Sequence, residues 1–77
     1  MNSRKQSIAV LPIEYLREIE HASFPLDETD PGKVHCVELL CAVSYLDATV
    51  TRAANQQRAR VRRITWMGRV ALQARAG

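Results

Sequence analysis

The sequence lacks any hydrophobic run long enough to span a membrane. Its longest apolar stretch, LLCAV at residues 39–43, is bounded by Glu38 and by Asp47 a few residues on, far short of the about 20 residues a span needs. The start, MNSRKQSIAVLPIEYL, has a basic beginning and a brief apolar patch that Pro12 and Glu14 end before a signal-peptide core is complete. We therefore expect a cytoplasmic protein, in a bacterium or in a cell that a phage has entered, with no membrane partner.

Cysteine and catalytic motifs are equally scarce. Cys36 and Cys41 are the only cysteines, and on one helix a spacing of five turns their side chains about 140° apart, so they cannot bond to each other there. Thiols indicate a reducing compartment. His21 and His35 stand at no zinc-ligand spacing, and no glycine-rich phosphate loop or nucleophile with an oriented base is present. The sequence predicts no metal, no cofactor and no enzymatic activity.

Acidic residues are missing from the last third of the chain. Residues 52–77 carry seven arginines and no acid, whereas residues 1–51 carry four basic and eight acidic side chains. A chain of 77 residues forms one domain with a marginal core. Small scaffolds often add a disulfide, a metal or a partner subunit, and with the first two not indicated we expect a homodimer.

The first half is predicted to be an extended arm over 1–11, a helix over 12–23 and an acidic loop over 24–30. Pro12 suits the first helical position and Glu14 favours the positive end of the helix dipole. Two prolines and three acids mark SFPLDETDPG as a loop. Asp30 is a credible cap for the next helix, with Pro31 at its first position.

From Pro31 onward the apolar spacing predicts long helices and an all-α fold. Apolar residues recur in alternating steps of three and four, and the predicted helix-packing or dimer positions are Cys36, Leu39, Val43, Leu46, Val50, Ile64, Gly68 and Ala71. No glycine or proline lies between Gly32 and Gly68. With a turn near Asn55, helices over 31–54 and 57–75 would form an antiparallel helical hairpin. The alternative is one long coiled-coil helix that must dimerise.

The basic helix predicted over 57–75 has one polar and one apolar face. On a helical wheel Arg58, Arg62 and Arg69 gather within about 40°, with Trp66 on their flank. A tryptophan edged by arginines is a common composition of protein-interface hot spots, although a partly buried core tryptophan has the same pattern. We predict a protein-binding site at these four residues, with Tyr45 as a second aromatic anchor.

A different function is suggested by the first 23 residues. The stretch RKQSIAVLPIEYLREIEHAS resembles the opening of ribbon-helix-helix repressors: a short alternating strand, then Leu-Pro, then a helix. The resemblance implies a dimeric strand whose outward residues read the DNA major groove, which would be Lys5, Ser7 and Ala9, with Ile8 and Val10 inward. Nucleic acid is thus the alternative partner, contacted by Lys5 and Ser7 or by Arg58 and Arg62 of the basic segment.

The second half has another resemblance. VELLCAVSYLDATV followed by an arginine-bearing segment is similar to the carboxy-terminal helical hairpin of short proteobacterial proteins of uncharacterised function, and this implies only a helical hairpin. The whole sequence predicts a small non-catalytic regulator, of the anti-activator or phage-inhibitor class, that binds and modulates another protein. A DNA-binding transcriptional regulator is the alternative.

Overall fold

The computed structural model describes residues 11–54 and 56–76, which form three helices and one three-stranded antiparallel sheet. In chain order the elements are α1 (Pro12–Glu18), β1 (Leu26–Glu28), α2 (Pro31–Ala42), β2 (Leu46–Ala53), β3 (Gln56–Ile64) and α3 (Trp66–Ala76). The fold is mixed α/β, so the prediction of an all-α protein is wrong. None of the described helices is long and apolar enough to cross a membrane.

The sheet has the strand order β1-β3-β2, with the arginine-rich strand β3 at its centre. β2 and β3 form a hairpin whose register pairs Ala53 with Gln56. Between them Ala54 has a φ of 51°, in the left-handed region that tight hairpin turns use. β1 pairs with the other side of β3, so that Leu26 lies opposite Val61. The predicted connection between two helices is therefore a connection between two strands, β2 and β3.

The helix predicted over 31–54 ends at Ala42, and its continuation to residue 54 is wrong. The chain leaves α2 through a left-handed residue, Ser44, with a φ of 67°. The Ser44 N–H donates to the Cys41 carbonyl at 2.9 Å, and the Tyr45 N–H donates to the Leu40 carbonyl at 2.8 Å. This pair of bonds is a Schellman helix end, which usually has glycine at the left-handed position. Because serine occupies it, no glycine marks the end in the sequence.

The prediction of a basic helix over 57–75 is also wrong, since β3 occupies the span up to Ile64 and the helix α3 begins only at Trp66. Apolar and polar residues alternate along β2 and most of β3, which places every second side chain on the same face of a sheet. The predicted steps of three and four, here called the heptad stripe, coincide with inward strand positions at Leu46, Val50 and Ile64. They miss the buried Ala59 and Val61. Helical hairpin and coiled coil therefore do not describe this chain.

All three helices cover one face of the sheet and enclose the core there. α2 packs on β2 and β3, α1 packs on α2, and α3 packs on α1 and β3. The buried apolar residues are Tyr15, Leu16, Ile19, Val34, Cys36, Val37, Leu40, Leu46, Ala59, Val61, Ile64 and Leu72. Of the predicted packing positions, Cys36, Leu46, Ile64 and Gly68 are buried, Val50 and Ala71 are half-buried, and Leu39 and Val43 are exposed. The heptad stripe is thus divided between the core of one chain and its surface.

The acidic loop contains a short strand and ends in a helix cap. β1 follows a cis Phe24–Pro25 peptide bond. Asp30 caps α2, since its Oδ2 accepts the Lys33 N–H at 3.0 Å. α1 is shorter than the predicted span 12–23 and ends at Glu18. Its Tyr15, fully buried, donates a hydrogen bond from its hydroxyl to Glu28 Oε2 at 2.8 Å, which ties α1 to β1.

Candidate functional site

The first turns of α3 present large apolar side chains to solvent. Trp66 is 79% exposed, Met67 52% and Val70 41%. Trp66 and Val70 lie one helical turn apart, so the three side chains share one part of the helix surface. We call Trp66, Met67 and Val70 the apolar helix patch. Trp66 is not among the core residues, so a role for it as a core tryptophan does not apply.

α3 is held in place by contacts with the turn between α2 and β2. Thr65 caps the helix by accepting the Gly68 N–H at its Oγ1, at 3.1 Å. Its own N–H donates to the Tyr45 carbonyl at 3.0 Å, and its hydroxyl donates to the Ser44 carbonyl at 2.5 Å. Further along, Arg69 Nη1 donates to the Glu20 carbonyl at 2.8 Å. The apolar helix patch therefore lies on a helix anchored at several points.

The structure separates the residues that were predicted to share one helical face. Arg58 and Arg62 lie on β3, whereas Trp66 and Arg69 lie on α3. Tyr45 is partly buried and packs against the core. The chain does keep Arg62 and Trp66 close in sequence, where β3 ends and α3 begins. Met67 adds to the exposed surface beside Trp66, although the wheel had not placed it in the predicted site.

The outer face of the sheet, away from the helices, carries most of the arginines of β3. Alternation along the strand turns Ala59 and Val61 into the core and Arg58, Arg60 and Arg62 outward. Arg63, 72% exposed at its side chain, joins them through an ion pair to the outward Asp47. We call Arg58, Arg60, Arg62 and Arg63 the arginine face. The strand period of two could have revealed it, since the arginines alternate with Ala59 and Val61.

A register irregularity in β3 brings two adjacent arginines to this face. Ala48 pairs with Val61 but Asp47 pairs with Arg63, which leaves Arg62 as the extra residue of a β-bulge. A bulge re-aims side chains locally. As a result both arginines reach one carboxylate: Arg62 Nη2 lies 2.6 Å from Asp47 Oδ1, and Arg63 Nε lies 3.4 Å from Asp47 Oδ2.

Two aspartates and a threonine orient these arginines. Arg60 Nη1 contacts both carboxylate oxygens of Asp27, at 3.2 and 3.3 Å. Arg62 Nη1 donates to Thr49 Oγ1 at 2.6 Å. The hydrogen bond from Arg62, with added attraction from both arginines, lowers the pKa of Asp47 below its ordinary value. Asp47 is therefore ionised at neutral pH and holds the arginines at the end of β3.

The remaining perturbed groups have structural partners. Burial, helped by the bond to Glu28, strongly raises the pKa of Tyr15. Burial also raises the pKa of the Cys36 and Cys41 thiols, so both are protonated at neutral pH. A hydrogen bond to Glu18 raises the pKa of Lys33. Within residues 11–54 and 56–76, no three His, Cys, Asp or Glu side chains come together as a metal site.

The predicted nucleic-acid contacts at the amino terminus, Lys5 and Ser7, lie outside the described residues, as do residues 1–10 of the extended arm predicted over 1–11. Comparison with known proteins finds no matching family model, no matching curated protein and no matching solved structure. A proposal for the function therefore depends on the two exposed surfaces, the apolar helix patch and the arginine face.

Proposed function

We propose that this chain is a small non-catalytic regulator that binds another protein through the apolar helix patch. The observation that carries the proposal is the exposure of Trp66, 79%, next to Met67 and Val70 on an anchored helix. Tryptophan and methionine are enriched at the centres of protein interfaces and scarce on other surfaces. A partner with an apolar groove would cover this patch.

The energetics favour a protein partner for the patch. Burial of an aromatic side chain removes about 150–250 Å² from water, which at about 25 cal/mol per Å² amounts to about 3–5 kcal/mol for a side chain as exposed as Trp66. Met67 and Val70 add smaller apolar areas. Part of this gain offsets the entropy lost on association. The entropy cost of ordering the helix itself is small, because α3 is already anchored in the free protein.

The regulatory class is an analogy based on size and composition. Small chains that need no cofactor and carry one aromatic and charged surface are typical of bacterial anti-activators and phage-encoded inhibitors. The proposal includes a cytoplasmic location, which the absence of a disulfide between Cys36 and Cys41 suits because disulfides are rare in reducing compartments.

Affinity capture from a host lysate treated with nuclease tests the proposal. The wild-type chain is expected to retain a protein partner that Trp66→Ala loses. Leu39→Ala is the matched control, because Leu39 is another exposed large apolar residue but lies on α2. Since Trp66 is mostly exposed, its substitution should change the free energy of unfolding by no more than about 0.5 kcal/mol. Equal capture by wild type and Trp66→Ala, or equal loss in both variants, would refute the proposal.

Homodimerisation stays a prediction, but the contact surface must differ from the one predicted from the sequence. The heptad stripe cannot be a dimer seam, because Cys36, Leu46 and Ile64 are buried within one chain. The alternative seam is β2, which is eight residues long and lies at an edge of the sheet. Exposed edge strands pair readily with another chain. Sedimentation equilibrium should show a dimer for the wild-type chain and a monomer for Thr49→Pro. A wild-type monomer at all micromolar concentrations would contradict dimerisation.

A further inference from the structure

We propose that the arginine face binds the phosphate backbone of a nucleic-acid duplex. This inference does not depend on the protein-binding function, since the two surfaces share no residue. It also differs from the predicted contact through a basic helix, because the arginines lie on a strand. The chemistry recognised is the phosphodiester group, and the bound form is a duplex rather than a single strand.

The geometry of the face suits a grooved polyanion. Because Arg62 is the extra residue of the bulge, the row is measured along β2, where Thr51 and Asp47 stand opposite Arg58 and Arg63. Four residues of a strand span about 13 Å, so Arg58 and Arg63 lie about that far apart. The major groove of B-DNA is about 12 Å wide. Arginines at the two ends of this row can therefore reach phosphates on opposite sides of a groove, with Arg60 between them. No described helix covers this side of the sheet.

The start of β3 offers room around its first arginine. Arg58 lines an open depression of about 420 Å³ together with Thr29, Gln56 and Gln57, and a second of about 270 Å³ together with Thr51. Arginine, threonine and glutamine side chains are common donors to phosphate and sugar oxygens. Within the described part of the chain, Arg58 has no ion-pair partner within 4 Å, so its guanidinium is available to an anion.

The charges on this side of the sheet favour an anionic partner. Four arginines and two aspartates, Asp27 and Asp47, leave an excess of two positive charges. The ion pairs do not use up the arginines: each guanidinium has five N–H donors, and Arg60 contacts its aspartate through Nη1 alone. Four of the other six acids sit in the helix layer on the opposite side, namely Glu14, Glu18, Glu20 and Glu38.

The composition of the face decides between a duplex and a single strand. Proteins that hold single strands stack successive bases on aromatic side chains. Within residues 11–54 and 56–76 the outward positions of the sheet carry arginine, aspartate, threonine, alanine and glutamine, but no aromatic residue. A face of this composition contacts the backbone alone, so its binding should depend on salt and hardly on base sequence.

The test is fluorescence anisotropy of a labelled mixed-sequence DNA duplex of about 20 base pairs, titrated with the full chain at about 50 and about 200 mM KCl. With two to four phosphates neutralised, affinity should fall roughly 10- to 150-fold between these concentrations. Arg58→Ala should weaken binding about fivefold at the lower salt and reduce the salt slope by about one. Arg52→Ala is the matched control, because Arg52 belongs to the same hairpin but pairs with Glu38 on the helix side.

Each outcome of the titration decides the proposal. Loss of affinity in Arg58→Ala with an unchanged Arg52→Ala supports it, and Trp66→Ala should bind the duplex like the wild type. No binding at the lower salt overturns it, as does equal weakening by both arginine variants, which would reflect net charge alone. Tighter binding of the corresponding single strand also overturns it. Binding of poly-glutamate but not of the duplex would show that the face takes an acidic protein instead. Unchanged circular dichroism of each variant shows that the fold is intact.

Discussion

Replacement of Gly68 by alanine should destabilise the protein, although the same change usually stabilises a helix. Alanine is favoured over glycine inside a helix by about 1 kcal/mol. At Gly68, however, a Cβ would overlap the Tyr45 carbonyl oxygen and would lie 2.7 Å from Ile64 Cγ2. Neither neighbour can yield easily, since one is backbone and the other is in the core. The sign of the effect therefore depends on how closely α3 approaches the turn after α2.

The magnitude follows from these opposing contributions. Overpacking of a close contact costs about 1–3 kcal/mol. Displacement of the Tyr45 carbonyl also weakens its hydrogen bond from the Thr65 N–H, which contributes about 1 kcal/mol. After subtraction of the gain in helix propensity, the free energy of unfolding of Gly68→Ala should fall by about 1–3 kcal/mol. For a domain of this size each kcal/mol lowers the melting temperature by about 4–8 °C.

Urea unfolding followed by far-ultraviolet circular dichroism measures this change. Gly32→Ala is the matched control, because a Cβ at Gly32 would meet only the flexible side chain of Asp30, at 3.2 Å. That variant should stay within about 0.5 kcal/mol of wild type or gain slightly. A Gly68→Ala protein as stable as wild type, or more stable, would refute the close packing of α3 on Tyr45 and with it the fixed position of the apolar helix patch.

Three further substitutions and titrations probe the same structure. Ser44→Gly should raise the free energy of unfolding by up to about 1 kcal/mol, since the left-handed φ of 67° strains serine but not glycine; a lower midpoint in urea would contradict the helix end. Tyr15→Phe should lower it by about 1.5 kcal/mol, because Glu28 loses a donor to its carboxylate; an unchanged midpoint would count against that bond. The folded pKa of Asp47 is lowered by Arg62, so its stabilising effect is present at neutral pH and is lost as the pH falls below about 4. In a carboxyl NMR titration Arg62→Ala should return the pKa of Asp47 toward its ordinary value, and no movement would exclude the pair.

Local signals in the sequence mark where α1 and α2 begin but not where α2 ends. Pro12 opens α1, and Asp30 with Pro31 opens α2, because a fixed φ and a side-chain cap act within a few residues. The end of α2 depends on Ser44, whose left-handed backbone is set by two hydrogen bonds rather than by residue type. Ala54 in the hairpin turn is a second such case. Neither serine nor alanine is a usual residue for a left-handed backbone, where glycine, asparagine and aspartate are common.

The two binding surfaces could be predicted only in part, because the residues that share a surface depend on whether the segment is a helix or a strand. Between residues 46 and 64 the steps of three and four meet Leu46, Val50 and Ile64 but miss the buried Ala59 and Val61, which only the strand period of two places on the core face. The pairing of β3 with its neighbouring strands imposes the period of two. This places Arg60 on the same face as Arg58 and Arg62, whereas a helical wheel places it on the opposite side from them. Trp66 was found from its composition with arginine, but its exposure follows from the packing of Leu72 and Gly68 on the opposite side of α3.

The fluorescence of Trp66 tests the proposed protein-binding function most directly, because it is the only tryptophan of the chain. In the free protein its emission should resemble that of a solvated indole, and acrylamide should quench it strongly, as expected for a side chain that is 79% exposed. On addition of the captured partner, after subtraction of the partner's own signal, the emission should shift to shorter wavelength and become protected from quenching. A tryptophan already protected in the free protein, or equally quenchable in the complex, would contradict binding through the apolar helix patch.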